Sequence, residues 1–402
     1  MRFSSALSTA SSLEDACHEA MAIARAGLDG ITPDLCVLFT SAGYRELERA
    51  PVLAQDLCGA RTLVGCTGGG IVGGGKEVES RLAVSVTLAS LPGVGLHPCL
   101  LADGDLPSGD DPPSSWVERI GVAPAAARGF IVLPEPFTSA ADRLLSGLDF
   151  AYPSAPKIGG IVSGSRSPSG HALFLGRATH RSGALVLGFT GDVTIDTVVA
   201  QGCRPFGKVG RITQSENHYL IAVDGKRAID FLREQFQELD GAAQESARTG
   251  QIFLGLGMDP FAANAPGPGD FLIRNLLGFD DKSGMLAVGE LLSVGRQVQF
   301  HIRDSSASDE DLRAVLSQSL ARLHGVGRHA GALLFSCLGR GQALFGEPDH
   351  DSRVFEQIVG QVPLGGFFCN GEIGPVHGTT YLHGYTSSFG LFREREPAVE
   401  AR

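Results

Sequence analysis

The chain has 402 residues, of which 43% are hydrophobic and 19% are charged. This composition is typical of a folded globular protein, and the length is enough for two or three domains of about 100–200 residues each. The formal net charge is −11, and Lys and Arg form no cluster that could neutralise a phosphate backbone, which argues against nucleic acid as a partner.

Cysteine usage and hydropathy bear on the cellular compartment. The eight cysteines are scattered along the chain and form no C-x-x-C pair, which favours reduced thiols in the cytosol. The first ten residues lack the apolar core of a signal peptide, and no run of about 18 apolar residues occurs. We therefore expect a cytoplasmic protein that does not interact with a membrane.

The first elements follow from capping and periodicity. A short strand is predicted near residues 3–7. Ser12 precedes Asp15 with the spacing of a helix N-cap, and the apolar residues after it recur at helical spacing. A helix is therefore predicted over residues 13–26.

A unit made of a strand, a helix, a second strand and a glycine-rich turn then occurs three times. The predicted units begin with apolar strands at 35–39, 129–133 and 331–337. Their predicted helices lie near 45–57, 140–148 and 352–359, and their glycine turns lie at 67–70, 157–165 and 364–372. Closing strands are predicted at 81–88, 171–175, 184–189, 380–383 and 388–392. This recurrence indicates internal duplication within a globular fold.

The segment between the second and third units has a different pattern. Helices are predicted over 227–239 and 308–323, the second capped by Ser308, and antiparallel strands at 271–277, 286–292 and 297–302 with a hairpin turn at 280–284. Segments rich in Asp, Pro and Gly at 103–115 and 259–270 are predicted to be surface loops.

These elements predict an α/β protein with mixed, largely antiparallel sheets flanked by helices. The fold is built from duplicated strand–helix–strand units in two fused domains. We place the domains at residues 1–225 and 226–392 and predict a flexible tail over 393–402.

The third unit carries the first candidate for ligand binding. Its first strand ends at Cys337 and leads to Arg340, which is followed by Gly341. Arginine presents a planar fork suited to a carboxylate or phosphate, and a neighbouring glycine lets a ligand approach the main chain. The alternative is that Arg340 pairs with a nearby acid or is solvated.

The turn after the next strand supplies the complementary charge. Glu372 follows Asn370 and Gly371, and Phe367 precedes them. Together, Arg340 and Glu372 would suit a zwitterion such as an amino acid, with Phe367 or Phe368 as an apolar wall. The alternative is that Glu372 forms a salt bridge with Arg340 and fastens two loops.

The matching turn of the first unit consists of Cys66, Thr67 and Gly68, which we expect to line the same pocket. Residues 73–75 are three glycines followed by a lysine, which resembles a phosphate-binding nest. A P-loop requires Ser or Thr after that lysine, whereas Glu77 follows it, so a tight turn is favoured over a nucleotide site.

These motifs resemble the FIST family. C-x-G-R-G at 337–341, followed about thirty residues later by G-G-F-F-x-N-G-E-I-G-P at 365–375, resembles the FIST C-terminal domain. Segments 33–39, 63–70 and 202–207 resemble the FIST N-terminal domain, and the resemblance covers roughly residues 3–390. It implies a small-ligand sensory domain in signal transduction, often fused to signalling or F-box modules, with amino-acid-like ligands. No output module is recognised in this chain, so an unknown signalling protein is the expected partner.

Two other functions stay open from the sequence. Some members of the family are described as haem proteins that sense nitric oxide, and a single axial histidine leaves no spacing signature. No metal motif such as H-E-x-x-H occurs, so no cofactor is predicted and haem is kept as an alternative. The other alternative is an enzyme with Cys337 or Cys369 as its nucleophile. We favour a binding module over an enzyme.

Overall fold

A computed structural model describes residues 1–239, 241, 244–245, 252–259, 266–267, 269–322 and 328–395. The chain divides into two compact units. The first comprises Met1–Ala200, Arg313–Leu382 and the residues from Thr386 onward, and the second comprises Gln201–Leu312 with His383–Tyr385. The boundary expected near residue 225 lies inside the second unit, so the domains at 1–225 and 226–392 stay a prediction about sequence segments.

The first unit contains three repeats that share one arrangement of strands. The first repeat consists of β1 (Arg2–Ser8), α1 (Leu13–Ala26), β2 (Leu35–Ser41), α2 (Ala50–Cys58), β3 (Thr62–Gly68), β4 (Gly70–Gly73), β5 (Lys76–Val78) and β6 (Val84–Ser90). The second consists of β7 (Val94–Leu101), α3 (Pro113–Ile120), β8 (Ala127–Pro134), α4 (Ala141–Ala151), β9 (Lys157–Gly160), β10 (Leu173–Leu175), β11 (Ala178–His180) and β12 (Ala184–Gly191). The third repeat opens with β13 (Val193–Ala200).

The second unit is inserted after β13. Its elements are β14 (Arg204–Glu216), β15 (Tyr219–Val223), β16 (Lys226–Arg227), α5 (Ala228–Gln237), β17 (Ile252–Gly257), β18 (Phe271–Asp280), β19 (Met285–Val288) and β20 (Gln297–Ile302). The strand order is β14-β20-β17-β18-β19-β15, and β15 pairs back onto β14. The pairing therefore closes on itself, as in a small antiparallel barrel.

The third repeat then resumes. It contains α6 (Ser305–Ala321), β21 (Gly331–Cys337), α7 (Gln342–Phe345), α8 (His350–Val359), β22 (Leu364–Cys369), β23 (Glu372–Val376), β24 (Thr379–His383) and β25 (Ser387–Glu394). Each repeat thus has an opening strand, two parallel inner strands, a hairpin and a closing strand.

The repeats exchange their hairpins. The three six-stranded sheets have the equivalent orders β1-β6-β2-β3-β10-β11, β7-β12-β8-β9-β23-β24 and β13-β25-β21-β22-β4-β5. The hairpin of the second repeat completes the first sheet, that of the third repeat completes the second sheet, and that of the first repeat completes the third sheet. This closed exchange joins the repeats, and one apolar core is shared by strands of all three sheets.

A glycine at the same place in each second inner strand allows the parallel strands to pack closely. A Cβ added at Gly65, Gly159 or Gly366 would overlap a carbonyl oxygen of the first inner strand. The recurrence of this contact confirms that the three units are structurally equivalent.

The predicted fold class, with mixed and mostly antiparallel sheets flanked by helices, is confirmed. The helix cap at Ser12 is also confirmed, since its hydroxyl accepts from the amide of Asp15 at 3.1 Å. The cap predicted at Ser308 is wrong, because Asp304 accepts from Ala307 N at 2.7 Å and Ser308 lies inside α6.

Other differences concern boundaries. The loop predicted over 103–115 ends in α3, because a proline is favourable in the first turn of a helix. Residues 157–160 and 364–369, expected in glycine turns, are strands β9 and β22. Residues 260–265 and 268 of the second predicted loop, residue 323 of the predicted helix and residues 396–402 of the tail lie outside the described residues. Within the described part of the chain, no helix is both long and apolar enough to cross a membrane.

Candidate functional site

The glycine turns of the three repeats meet at one place, which we call the turn junction and define as residues 68–70, 163–165 and 370–371. Gly69 N donates to Ser163 Oγ at 2.8 Å and to Phe368 O at 3.2 Å. Ser163 Oγ in turn donates to Phe368 O at 2.5 Å. One hydroxyl of the second repeat therefore connects the turns of the other two.

A second set of hydrogen bonds closes the junction. Ile161 N donates to Gly371 O at 2.9 Å, and Asn370 N donates to Ile161 O at 3.4 Å. Gly164 and Asn370 are exposed, and so is Leu338, whose side chain lies against Gly69. The junction therefore presents a carboxamide, main-chain groups and one apolar side chain at the surface.

A buried ion pair lies in the third repeat, which also contributes the Asn370 turn. Arg340 is 0% exposed and donates from Nε to Asp351 Oδ2 at 2.8 Å and from Nη2 to Oδ1 at 2.9 Å. Asp351 also accepts from Ser387 Oγ at 2.5 Å and lies 3.0 Å from His350 Nδ1. Burial opposes ionisation of Asp351, but the charge of Arg340 and these hydrogen bonds outweigh it and hold the pKa of the carboxyl below its ordinary value.

Glu372 is the second buried charge of the third repeat. It is 0% exposed, and its Oε2 accepts from Thr386 N at 3.0 Å and from Thr386 Oγ1 at 2.8 Å. Thr386 immediately precedes Ser387, so consecutive residues bind Glu372 and Asp351. The carboxylate of Glu372 therefore belongs to the same hydrogen-bonded region as the ion pair.

A third carboxyl comes from the first repeat. Glu77 in β5 is buried, and its Oε1 accepts from Ser352 N at 2.6 Å near the start of α8. Burial is the main cause that raises the pKa of Glu77 to about 8, and the charge of Asp351 adds to it. The exchanged hairpin thus places a carboxyl that is mostly protonated at neutral pH beside an ionised one.

The position of Glu372 distinguishes the third repeat from the other two. In each sheet, the strand contributed by another repeat pairs with the second inner strand. One residue of the contributed strand lies opposite the residue that follows Gly65, Gly159 or Gly366. This residue is Leu173 in the first sheet, Ile71 in the third and Glu372 in the second. A charge where equivalent positions are apolar breaks the local pattern, which is expected at functional sites.

The structure brings together part of the predicted site. The turns containing Gly68, Asn370 and Gly371 meet at the junction, and Cys337 ends the neighbouring strand, where it is half-buried. Asp351, Glu77 and Ser163 were not among the predicted ligand-binding residues.

Other predicted residues are buried. Phe367 packs against Phe39 and Phe335, with ring centroids 4.9 and 5.7 Å away, so it is a core residue and not an exposed apolar wall. Arg340 and Glu372 are likewise closed off from solvent by the protein around them.

The remaining predicted residues have structural contacts. Thr67 Oγ1 accepts from Ala172 N at 3.1 Å, and Cys66 is fully buried in the core. Gly341 is buried next to the carboxylate of Glu79, and its φ of 72° is a conformation that favours glycine. A ligand-binding role for the predicted residues stays a prediction.

The thiol of Cys369 has the wrong environment for a nucleophile. It is 0% exposed, and its Sγ lies 3.6 Å from Glu372 Oε1. Burial, together with the charge of Glu372, raises the pKa of Cys369 well above its ordinary value. Because the thiolate is the reactive form, this cysteine is an unfavourable catalytic group.

The haem alternative stays a prediction, and the surroundings of three histidines and one groove bear on it. His171, His329 and His350 each place a ring nitrogen within 3.0 Å of a carboxylate oxygen. A groove of about 560 Å³ in the second unit, between α5 and β18, has no histidine in its lining. Among the described residues, no group of three or more His, Cys, Asp or Glu could hold a metal ion.

The protein is therefore an α/β protein made of three repeats, with an inserted antiparallel barrel and a polar turn junction. The chain belongs to the FIST family, because the FIST N domain matches residues 34–226 and the FIST C domain matches residues 228–375. This confirms the resemblance drawn from the motifs. FIST domains form a sensory family in signal transduction.

Similar proteins cover nearly the whole chain. The uncharacterized protein Rv0628c of Mycobacterium tuberculosis is 36% identical over 98% of this chain and 100% of its own length. The uncharacterized protein Mb0898c of Mycobacterium bovis is 35% identical over 98% of this chain and 99% of its own length. Among solved structures, a cyanuric acid hydrolase from A. caulinodans covers 98% of this chain and 99% of its own, with 10% identity and a TM-score of 0.34, which is too low to support an inference.

Proposed function

We propose that the protein is a sensory module that binds a small polar, amino-acid-like ligand at the turn junction. The observation that carries this proposal is the meeting of three equivalent turns, of which the third alone has a buried carboxylate, Glu372, at the position held by Ile71 and Leu173 elsewhere. Membership of a sensory family supports the same function.

The groups that contact the ligand are the exposed ones. The carboxamide of Asn370 and the main chain at Gly164 can donate and accept hydrogen bonds, and Leu338 can cover an apolar part of the ligand. A carboxamide and main-chain groups supply both donors and acceptors, so they can bind the carboxylate and the ammonium of an amino acid. This is why a zwitterion remains the favoured class.

Arg340 and Glu372 are positioning residues in this proposal. Each is buried and already hydrogen-bonded to protein groups, Arg340 to Asp351 and Glu372 to Thr386. Arg340 follows Leu338 by two residues, and Glu372 follows Asn370 by two. The buried network therefore holds the backbone that presents the two exposed contact residues.

Calorimetric titration with the twenty amino acids and small carboxylic acids tests the site. Loss of a ligand hydrogen bond typically costs about 1 kcal/mol, so Asn370→Ala is expected to weaken binding by roughly five- to tenfold. Leu338→Ala should weaken it as well. Ile31→Ala is the matched control, because Ile31 is 45% exposed and Leu338 is 41% exposed in the same unit.

The proposal fails if saturable binding is found and both junction variants bind as the wild type does. It also fails if no member of the panel binds. An effect on Ile31→Ala equal to that on Leu338→Ala would point to a general loss of stability instead of a site, so melting temperatures are measured alongside.

We further propose that the output passes to a separate signalling protein in the cytoplasm. The eight cysteines are all free, as expected for a protein kept in a reducing compartment. Ligand-dependent capture of a partner from a cytoplasmic extract, lost with Asn370→Ala, is the corresponding test.

A further inference from the structure

A pocket of about 490 Å³ in the first unit shares no residue with the turn junction. Its walls come from the start of β8, from the segment between α4 and β9, and from β13. Two arginines line it, Arg128 of β8 and Arg395, which follows β25. We call it the arginine pocket.

The two arginines are attached to consecutive residues of the main chain. Arg128 Nε donates to Gly191 O at 3.4 Å, and Arg395 N donates to Asp192 O at 3.3 Å. Arg128 Nη1 donates at 3.2 Å to each of two further carbonyl oxygens nearby in the chain. These carbonyl groups fix the orientation of the Arg128 guanidinium, and among the described residues its Nη2 has no hydrogen-bond partner.

No acidic side chain of the described residues neutralises these charges. The described lining of the pocket contains neither Asp nor Glu, and within the described part of the chain neither Arg128 nor Arg395 forms a salt bridge. Two cations that line one pocket repel each other, and a bound anion with two negative charges would remove this repulsion. The absence of acidic groups is notable because the whole chain has a net charge of −11.

We propose that the arginine pocket binds a small phosphate monoester, whose phosphate group is held by Arg128 and Arg395. A phosphate monoester carries a charge of about −1.5 to −2 at neutral pH, which balances two guanidinium groups. The planar guanidinium of arginine binds phosphate oxygens through parallel hydrogen bonds. Ser154 and Thr194 also line the pocket, and a hydroxyl group can donate to a phosphate oxygen.

The rest of the lining suits the organic part of such a ligand. The volume lies within the range of about 300–1,000 Å³ that is usual for small-molecule sites, so it exceeds what a phosphate group alone fills. Much of the wall is apolar and consists of Pro124, Pro153, Pro156, Val193 and Ile195. The proposal does not depend on the ligand proposed for the turn junction.

Calorimetric titration of the full chain with phenyl phosphate, at neutral pH and low ionic strength, tests the proposal. The expected result is saturable binding of one phenyl phosphate per chain. Inorganic phosphate should bind more weakly because it lacks a group that contacts the apolar wall, and phenol should not bind because it lacks the charge. Added salt should weaken the binding, since the site is electrostatic and open to solvent.

Arg395→Ala is the informative variant. Its side chain is exposed and forms no salt bridge within the described part of the chain, so the variant should fold as the wild type does. Loss of hydrogen bonds to a charged ligand should weaken the binding of phenyl phosphate by about tenfold or more. Arg45→Ala is the matched control, because Arg45 is an exposed arginine of the same unit outside the pocket, and it should bind as the wild type does.

Arginine modification gives a readout on the wild-type protein. With phenyl phosphate at about ten times its dissociation constant, phenylglyoxal should modify Arg395 roughly tenfold more slowly, as followed by mass spectrometry, and Arg45 at an unchanged rate. The proposal is overturned if phenyl phosphate does not bind saturably, if Arg395→Ala binds it as the wild type does, or if Arg395 is not protected. Equally tight binding of succinate, a dicarboxylate, would overturn the assignment to a phosphate monoester.

Discussion

Replacing Glu77 with glutamine tests the buried charge network through the pH dependence of stability. The pKa of Glu77 is raised from 4.5 to about 8, chiefly by burial. Between these two pH values the folded state therefore holds a proton that the unfolded state releases. The contribution of this group to stability is fully present below pH 4.5 and is lost as the pH rises toward 8.

The magnitude follows from the same two values. A proton bound only in the folded state changes the free energy of unfolding by about 1.4 kcal/mol per pH unit. Between pH 6 and pH 8, which lie within the titration range, the wild type should lose roughly 2 kcal/mol through Glu77. Glutamine keeps the acceptor for Ser352 N but cannot ionise, so Glu77→Gln should lose none of this.

Urea unfolding followed by tryptophan fluorescence is a suitable assay. Trp116 is the single tryptophan of the chain and is buried in the first unit, so its emission reports the unfolding of the unit that contains Glu77. Glu118→Gln, in exposed sequence of the same unit, is the matched control and should keep the wild-type pH dependence. Equal losses of stability in the wild type and in Glu77→Gln between pH 6 and pH 8 would show that the pKa of Glu77 is not raised in the folded state.

Three further predictions concern packing and reactivity. Asp149→Ala removes the carboxylate that lies 2.7 Å from the buried Lys157 ammonium. In urea titrations this variant should be less stable than the wild type by about 3 kcal/mol or more, and a loss of under about 1 kcal/mol would contradict the ion pair. Gly159→Ala places a methyl group onto the carbonyl oxygen of Val132, so we expect little folded protein on gel filtration. A melting temperature equal to that of the wild type would contradict the close packing of the two parallel strands. Cys369 should react with a maleimide only after denaturation, and rapid native labelling, read by mass spectrometry, would argue against its raised pKa.

The repeat pattern was accessible from the sequence, but the hairpin exchange was not. The strands that flank Gly69 and Gly371 have the same local signals whether they complete their own sheet or another one, because turn chemistry and alternation report only short-range structure. The glycines at 159 and 366 were read as turns for a related reason. The sequence does not distinguish a glycine that allows two strands to pack closely from a glycine that forms a turn.

The site was predictable only in part. Arg340 and the Glu372 turn stand out because charges border glycines at strand ends. The partner of Arg340 is Asp351, which lies in a helix where an acidic residue is unremarkable. Glu77 comes from a different repeat, and its burial depends on the exchanged hairpin, so no local feature could reveal that the charges would be closed off from solvent.

Hydrogen–deuterium exchange can show whether a ligand binds at the turn junction. The probe is the amino acid that gives the largest rise in melting temperature at saturation. We predict slower exchange in the segments around 68–70, 163–165 and 370–371, with Leu338 in the same group, and unchanged exchange in the barrel strands of the second unit. Protection confined to the barrel, with no change in the three turns, would contradict a ligand site at the turn junction.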